Sequence, residues 1–175
     1  EMGFGVKEAL ARKPKTIVID PRETMLAKRA DIWLQLRPGT DDALALAMLH
    51  VIIEEDLYDH DFVAEWTHGF DELAERVKQY SPEWAEPITW CKADQIREAA
   101  RLYATVKPSM LEWGCAIEHT PACFQTVRAL LCLPSITGNI DQPGGWAFGM
   151  TPIPPFPQLF DKMPKEKQKK RLGYE

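Results

Sequence analysis

The sequence predicts an α/β fold, a parallel sheet covered by helices. Two short apolar runs, "KTIVID" at residues 15–20 and "IWLQL" at 32–36, have the length and residue types of buried strands. Segments with helical spacing separate and follow them, giving the order β–α–β–α. Each run also ends in turn chemistry, Asp20-Pro21 after the first and Pro38-Gly39 after the second.

The elements follow in chain order. "VKEALARK" before the first strand is an amphipathic helical turn or two, and "RETMLAKRAD" between the strands reads as a short helix. "RPGTD" is a turn, with Pro38 presetting one dihedral and Gly39 permitting a positive one. Thr40 or Asp41 is the expected N-cap of a helix running to about Glu54, with Asp42 adding charge to its first turn. Ala43, Leu44, Leu46, Ala47, Met48, Val51 and Ile52 leave that helix little polar face, so it should be packed on several sides.

"HDFVAEWT" and "FDELAERVKQYS" are helical, and "SPEWAEPITW" carries prolines expected to stop a helix. "KADQIREAARLYATV" is amphipathic, with Ile96, Ala99, Ala100 and Tyr103 on one face. "PSMLEWG" is a third expected strand. "PACFQTVRALLCLPSITGN" is an apolar helix that Pro134 should kink or end, and "GNIDQPGGWAFG" is a glycine-rich turn region. The first 150 residues read as one domain. Residues 151–175, "TPIPPFPQLFDKMPKEKQKKRLGYE", form a proline-rich and then basic C-terminal tail or linker.

At 175 residues, 45% hydrophobic and 27% charged, the chain can bury a core of its own. A net charge of -5 argues against non-specific nucleic-acid binding. No run approaches the roughly eighteen apolar residues of a membrane span. The chain starts at Glu1 as if in mid-helix, which suggests an excised segment with any targeting signal elsewhere and leaves the compartment open. Cys91, Cys115, Cys123 and Cys132 lack zinc or iron–sulfur spacing. They are expected to be mostly reduced and buried.

Ligands of open parallel sheets sit beyond the carboxyl ends of the strands, so three loops become candidate sites. In the first, Asp20 can accept from ribose hydroxyls and Arg22 can pair with phosphate; the plainer reading is an Asp-Pro turn with a solvated arginine. In the second, Gly39 and a helix N-terminus offer amides to an anion. Asp41 would repel phosphate but could accept from both N1–H and the 2-amino group of guanine; alternatively Thr40 and Asp41 only cap the helix. The third holds Cys115, Glu118 and His119, either a Cys–His or Glu–His reacting pair or a packed thiol beside rim residues. His50, His60 and His68 read as surface or satisfied residues, and the lysines after Met163 as a solvated tail.

The stretch "IVIDPRETMLAKRADIWLQLRPGTDDALALAMLHVIIEEDLYDHDFVAEWTHGF", with "ADQIREAARLYA" and "LPSITGNIDQPGG", resembles the molybdopterin oxidoreductase family, which includes dimethyl sulfoxide reductases and formate dehydrogenases. Order and spacing together carry the resemblance, from about Val6 to Gly145. It implies a Rossmann-like, three-layer domain that grips one arm of a bis(molybdopterin guanine dinucleotide) cofactor carrying molybdenum or tungsten. Carried onto this sequence, Asp20, Pro21, Arg22 and Thr24 lie beside the dinucleotide, as do Gly39, Thr40 and Asp41. Cys115 and His119 occupy contact positions of a turn near the pterin, although Ala116 stands where the family has glycine and His119 where it has glutamine.

The resemblance also implies a larger parent enzyme performing oxygen-atom or hydride-type redox chemistry. The metal ligand, any iron–sulfur cluster and the remaining domains would lie outside this segment, with electron-transfer subunits as further partners, so the segment alone should be inert. Two other readings remain at this point: a module for a different dinucleotide, or a non-catalytic scaffold. The Gly-x-Gly-x-x-Gly fingerprint is missing after the first strand, which counts against NAD.

Overall fold

The structure, a computed structural model, describes residues 8–9, 11–147 and 163–170. Both expected strands form. β1 (Ile17–Ile19) and β2 (Ile32–Leu34) pair in parallel, Ile17 opposite Ile32 and Ile19 opposite Leu34. Between them the expected helix shrinks to one 3-10 turn, Ala27–Arg29. Thr24 Oγ1 accepts from the Ala27 N–H at 3.2 Å and starts that turn. Met25 and Leu26 are exposed, so a longer helix would have little to bury.

Eight further elements follow: α1 (Asp41–Glu54), α2 (His60–Trp66), α3 (Phe70–Val77), α4 (Pro82–Thr89), α5 (Ala93–Thr105), α6 (Cys115–Glu118), α7 (Cys123–Ile136) and α8 (Lys165–Gln168). The fold is mixed α/β but mostly helical. α1 lies at its centre and packs against α4, α5 and α7. This is why it is apolar nearly all round: Leu44, Ala45, Ala47, Leu49, Val51 and Ile52 are all buried. Each large side chain of this kind contributes roughly 1.5–3 kcal/mol when fully buried.

Three prolines stand within helices they were expected to stop or kink. Pro82 stands in the first turn of α4, where its missing N–H costs nothing, while the Ser81 hydroxyl caps the Trp84 N–H at 3.3 Å. Pro87 is inside the same helix, which closes only at Trp90 with φ +67°. Pro134 likewise lies within α7, which continues to Ile136. Its side chain is buried, so packing there offsets the lost backbone bond.

The third expected strand, residues 108–114, is absent from the sheet, which has two strands among the described residues. Its apolar residues are present, but no strand lies beside it among the described residues. The backbone of residues 110–113 makes no hydrogen bond among the described residues. The segment is instead held at its start, where the Ser109 N–H donates to Asn139 Oδ1 at 2.9 Å.

The glycine-rich region forms the expected tight turns. Gly138 and Gly144 have positive φ, and the Trp146 N–H reaches back to the Asn139 carbonyl at 2.7 Å. The expectation of buried cysteines is only partly met: Cys91 is buried and its thiol pushed up by burial, Cys123 and Cys132 are half-buried, and Cys115 is exposed. All four are free. Residues 151–162 of the tail lie outside the described residues, whereas α8 is short and carries no buried side chain. No described helix is long and apolar enough to cross a membrane.

Candidate functional site

Because β1 and β2 are adjacent and parallel, the loops that follow them leave the same end of the sheet. The first loop is fastened to β2. The Asp20 N–H donates to the Leu34 carbonyl at 3.2 Å and continues the ladder by one step. The Trp33 indole N–H donates to the Asp20 carbonyl at 3.0 Å, and Gln35 Nε2 donates to the Pro21 carbonyl at 3.2 Å.

Asp20 then folds its own loop: Oδ1 accepts the Arg22 N–H at 2.8 Å, an Asx turn that leaves the other carboxylate oxygen without a partner among the described residues. The plain reading of Asp20-Pro21 as a turn is therefore true, and it does not consume the carboxylate. Arg22 is exposed and has no acidic partner among the described residues. Thr24 is committed to starting the 3-10 turn.

The second loop is anchored from the other side. The Arg37 N–H donates to the Thr89 carbonyl at 2.8 Å, and the Arg37 guanidinium stacks 5.5 Å from the centre of the Trp90 ring. Gly39 has φ +82° and nothing within 4 Å of where a Cβ would stand, so its backbone faces open space. Thr40 is the N-cap residue of α1, but its hydroxyl does not cap: it donates to the Arg37 carbonyl at 2.7 Å and tightens the turn.

The Asp41 carboxylate begins α1 and meets no side-chain donor among the described residues. Burial pushes its pKa up, against the pull of its own backbone N–H. A half-buried carboxylate with no side-chain donor among the described residues is incompletely partnered, and a ligand offering N–H groups would complete it.

An apolar groove of about 570 Å³ runs from this rim along β1. Asp41 lines it together with Ile19, the residue before Asp20, and residues 110–112, which lead into the third loop. That loop departs from expectation. Cys115 and His119 bracket the short helix α6, both are exposed, and neither lines the groove. Glu118 accepts from the Trp113 indole at 3.3 Å instead of facing His119. No reacting Cys–His or Glu–His pair is formed.

The structure thus brings Asp20, Pro21, Arg22, Gly39, Thr40 and Asp41 to one end of the sheet and leaves Cys115 and His119 outside its groove. Sequence reasoning missed Trp33 and Gln35, which position the first loop. Their signal was present: residues 32, 34 and 36 are buried, so residues 33 and 35 share the other face of β2. Arg37 with Trp90 was also missed, because the two are far apart in sequence.

A family model described as "Molybdopterin oxidoreductase" matches residues 5–153. Acetylene hydratase of Syntrophotalea acetylenica is 42% identical over 97% of this chain and 24% of its own length. Formate dehydrogenase H of Escherichia coli (strain K12) is 43% identical over 79% of this chain and 19% of its own. The thiosulfate reductase molybdopterin-containing subunit PhsA of Salmonella typhimurium (strain LT2) is 37% identical over 75% and 17%.

Among solved structures, acetylene hydratase from Pelobacter acetylenicus superposes with a TM-score of 0.73 at 46% identity, covering 75% of this chain and 18% of that one. The chain therefore spans about a quarter or less of the length of these relatives. With 149 of its residues inside the family match, this chain belongs to the molybdopterin oxidoreductase family.

Proposed function

We propose that this chain is the segment of a molybdenum or tungsten oxidoreductase that holds one guanine dinucleotide arm of a bis(molybdopterin guanine dinucleotide) cofactor. Family membership implies a pterin cofactor with molybdenum or tungsten; the guanine form and its seat are the proposal. When bound, that group supplies the metal-centred redox chemistry, and the segment supplies grip and orientation.

One observation carries the reading. Two parallel strands deliver a carboxylate oxygen without a partner among the described residues, an exposed arginine, an open glycine backbone and an incompletely partnered carboxylate to a single rim. The chemistry of these donors and acceptors suits a guanosine phosphate. Asp41 would accept from the guanine N1–H and 2-amino group, Asp20 from ribose hydroxyls, and Arg22 would meet phosphate. Gly39 would allow close approach, and Pro21, Thr24 and Thr40 shape the two loops. Cys115 and His119 would contact the cofactor only at its pterin end.

Residues 1–150 would form the Rossmann-like, three-layer binding domain, with residues 151–175 as an extension toward other domains or electron-transfer subunits. The segment does not choose the parent's reaction. A hydratase and a dehydrogenase match it with nearly equal identity, 42% and 43%. What they share over this stretch is therefore better read as cofactor binding than as substrate choice. The test is to purify the complete polypeptide that the gene encodes and assay it for metal and acid-released guanine nucleotide. Molybdenum or tungsten in fixed ratio to guanine supports the reading; metal without guanine, or neither, refutes it.

A further inference from the structure

We propose that Arg37 and Trp90 complete the base-recognition site: the Arg37 guanidinium reads the O6 and N7 edge of the guanine whose N1–H and 2-amino group meet Asp41, and the exposed Trp90 ring positions that guanidinium. The inference rests on the cradle reading above and adds what makes the cradle select guanine.

Trp90 stands where a bulky residue is least expected. It closes α4 with φ +67°, in the left-handed region that favours glycine. The residues on either side are buried. The Thr89 hydroxyl donates to the Ala85 carbonyl at 2.9 Å, and the Cys91 N–H donates to the Thr89 hydroxyl at 3.2 Å. Trp90 between them is 64% exposed, so core packing does not account for its backbone strain. What the indole meets is Arg37, whose guanidinium lies 5.5 Å from the ring centre. Strain kept at an exposed aromatic points to a task outside the core.

Arg37 is fixed but uncommitted. Its N–H donates to the Thr89 carbonyl at 2.8 Å, and its own carbonyl accepts the Thr40 hydroxyl at 2.7 Å. Its guanidinium makes no hydrogen bond or ion pair among the described residues. A guanidinium stacked on a ring keeps its in-plane N–H donors available. Asp41 lies four residues on in the same turn and bears the opposite charge, yet the two do not pair. One rim therefore holds a bidentate donor and a bidentate acceptor that leave each other unsatisfied. Guanine matches both, because its donors N1–H and 2-amino adjoin its acceptors O6 and N7. Adenine offers Asp41 only its 6-amino group and offers Arg37 no oxygen.

The test uses the complete polypeptide that the gene encodes, as wild type, Arg37→Met and Trp90→Gly. Met keeps the apolar stem of the arginine and removes its donors. Gly suits a positive φ, so Trp90→Gly should leave the melting midpoint unchanged or higher, yet lower the guanine retained per polypeptide at least about threefold. A purely structural role for Trp90 would move both readings together. Calorimetry on the cofactor-free polypeptide then compares guanosine diphosphate with 7-deazaguanosine diphosphate, which lacks the N7 acceptor. The wild type should bind the first about tenfold more tightly, and Arg37→Met should bind the two equally. Equal binding of the two by the wild type, binding of neither, a preference that survives Arg37→Met, or undiminished guanine in both variants overturns the proposal. In each of these cases a purified wild type that carries guanine leaves the cradle reading standing, whereas one without guanine overturns both.

Discussion

The indole N–H of Trp33 donates to the carbonyl oxygen of Asp20 at 3.0 Å. This bond ties the loop after β1 to the strand that carries the other loop. The two halves of the proposed guanosine cradle are thus joined through an indole that bonds the backbone of the rim residue Asp20.

Trp33→Phe keeps the ring and removes the donor. The loss of one neutral hydrogen bond should cost about 1 kcal/mol of stability, read from a urea melt. In the cofactor-loaded parent it should also lower retained guanine nucleotide while leaving α-helix content unchanged by circular dichroism. Unaltered stability and unaltered retention together would remove Trp33 from its positioning role.

Asp41 predicts a trade between stability and binding. Burial holds its folded pKa above the ordinary 3.8. The folded state therefore binds this proton more tightly than the unfolded chain does. The group's favourable contribution is complete below the unfolded pKa and is lost as pH rises through the folded one. At pH 7 the buried charge is a cost, so Asp41→Asn should stabilise the chain by roughly 0.5–1 kcal/mol. The advantage should shrink as pH falls toward 4, and guanine retention should drop. Thermal melts of both proteins across this range decide the matter; a variant that melts lower at pH 7 goes against it.

Gly39 tests the backbone. Its φ of +82° is strained for an L-residue, but no atom lies within 4 Å of the place a methyl group would take. Gly39→Ala should therefore cost about 1 kcal/mol through conformation alone, and Gly39→Asn less. Urea midpoints that rank Gly above Asn above Ala agree with this; an Ala variant as stable as the parent chain does not.

Asn139 is 1% exposed and joins two regions thirty residues apart. Its Oδ1 accepts the Ser109 N–H, and its Nδ2 donates to the Thr137 hydroxyl at 2.8 Å. Asn139→Ala strands the Ser109 amide and should cost about 2–3 kcal/mol. Hydrogen exchange at Ser109 should quicken by more than the global loss of stability explains. Exchange that changes only in step with global stability would show that Asn139 does not hold this end of the groove.

What was legible in the sequence was whatever local chemistry decides. The β-branched run at residues 17–19, the Pro-Gly turn and the apolar surround of α1 each follow from composition over a few residues, and each is present. The third strand failed for a long-range reason: residues 110–113 have strand composition but no neighbour among the described residues to pair with. Pro134 is accommodated inside α7 with its side chain buried in the core, whereas Pro87 is exposed and stands two residues before the end of α4. At the candidate site, the Asp20 and Asp41 loops could be found from turn and cap signals. The Arg37–Trp90 stack could not, since no periodicity links those positions.

The most direct measurement is hydrogen exchange on the complete polypeptide, with and without its cofactor. The account predicts that amides from Asp20 to Thr24 and from Gly39 to Leu44 gain protection together on loading. Loading that protects neither loop, or protects one alone, contradicts a shared guanosine cradle at the end of β1 and β2.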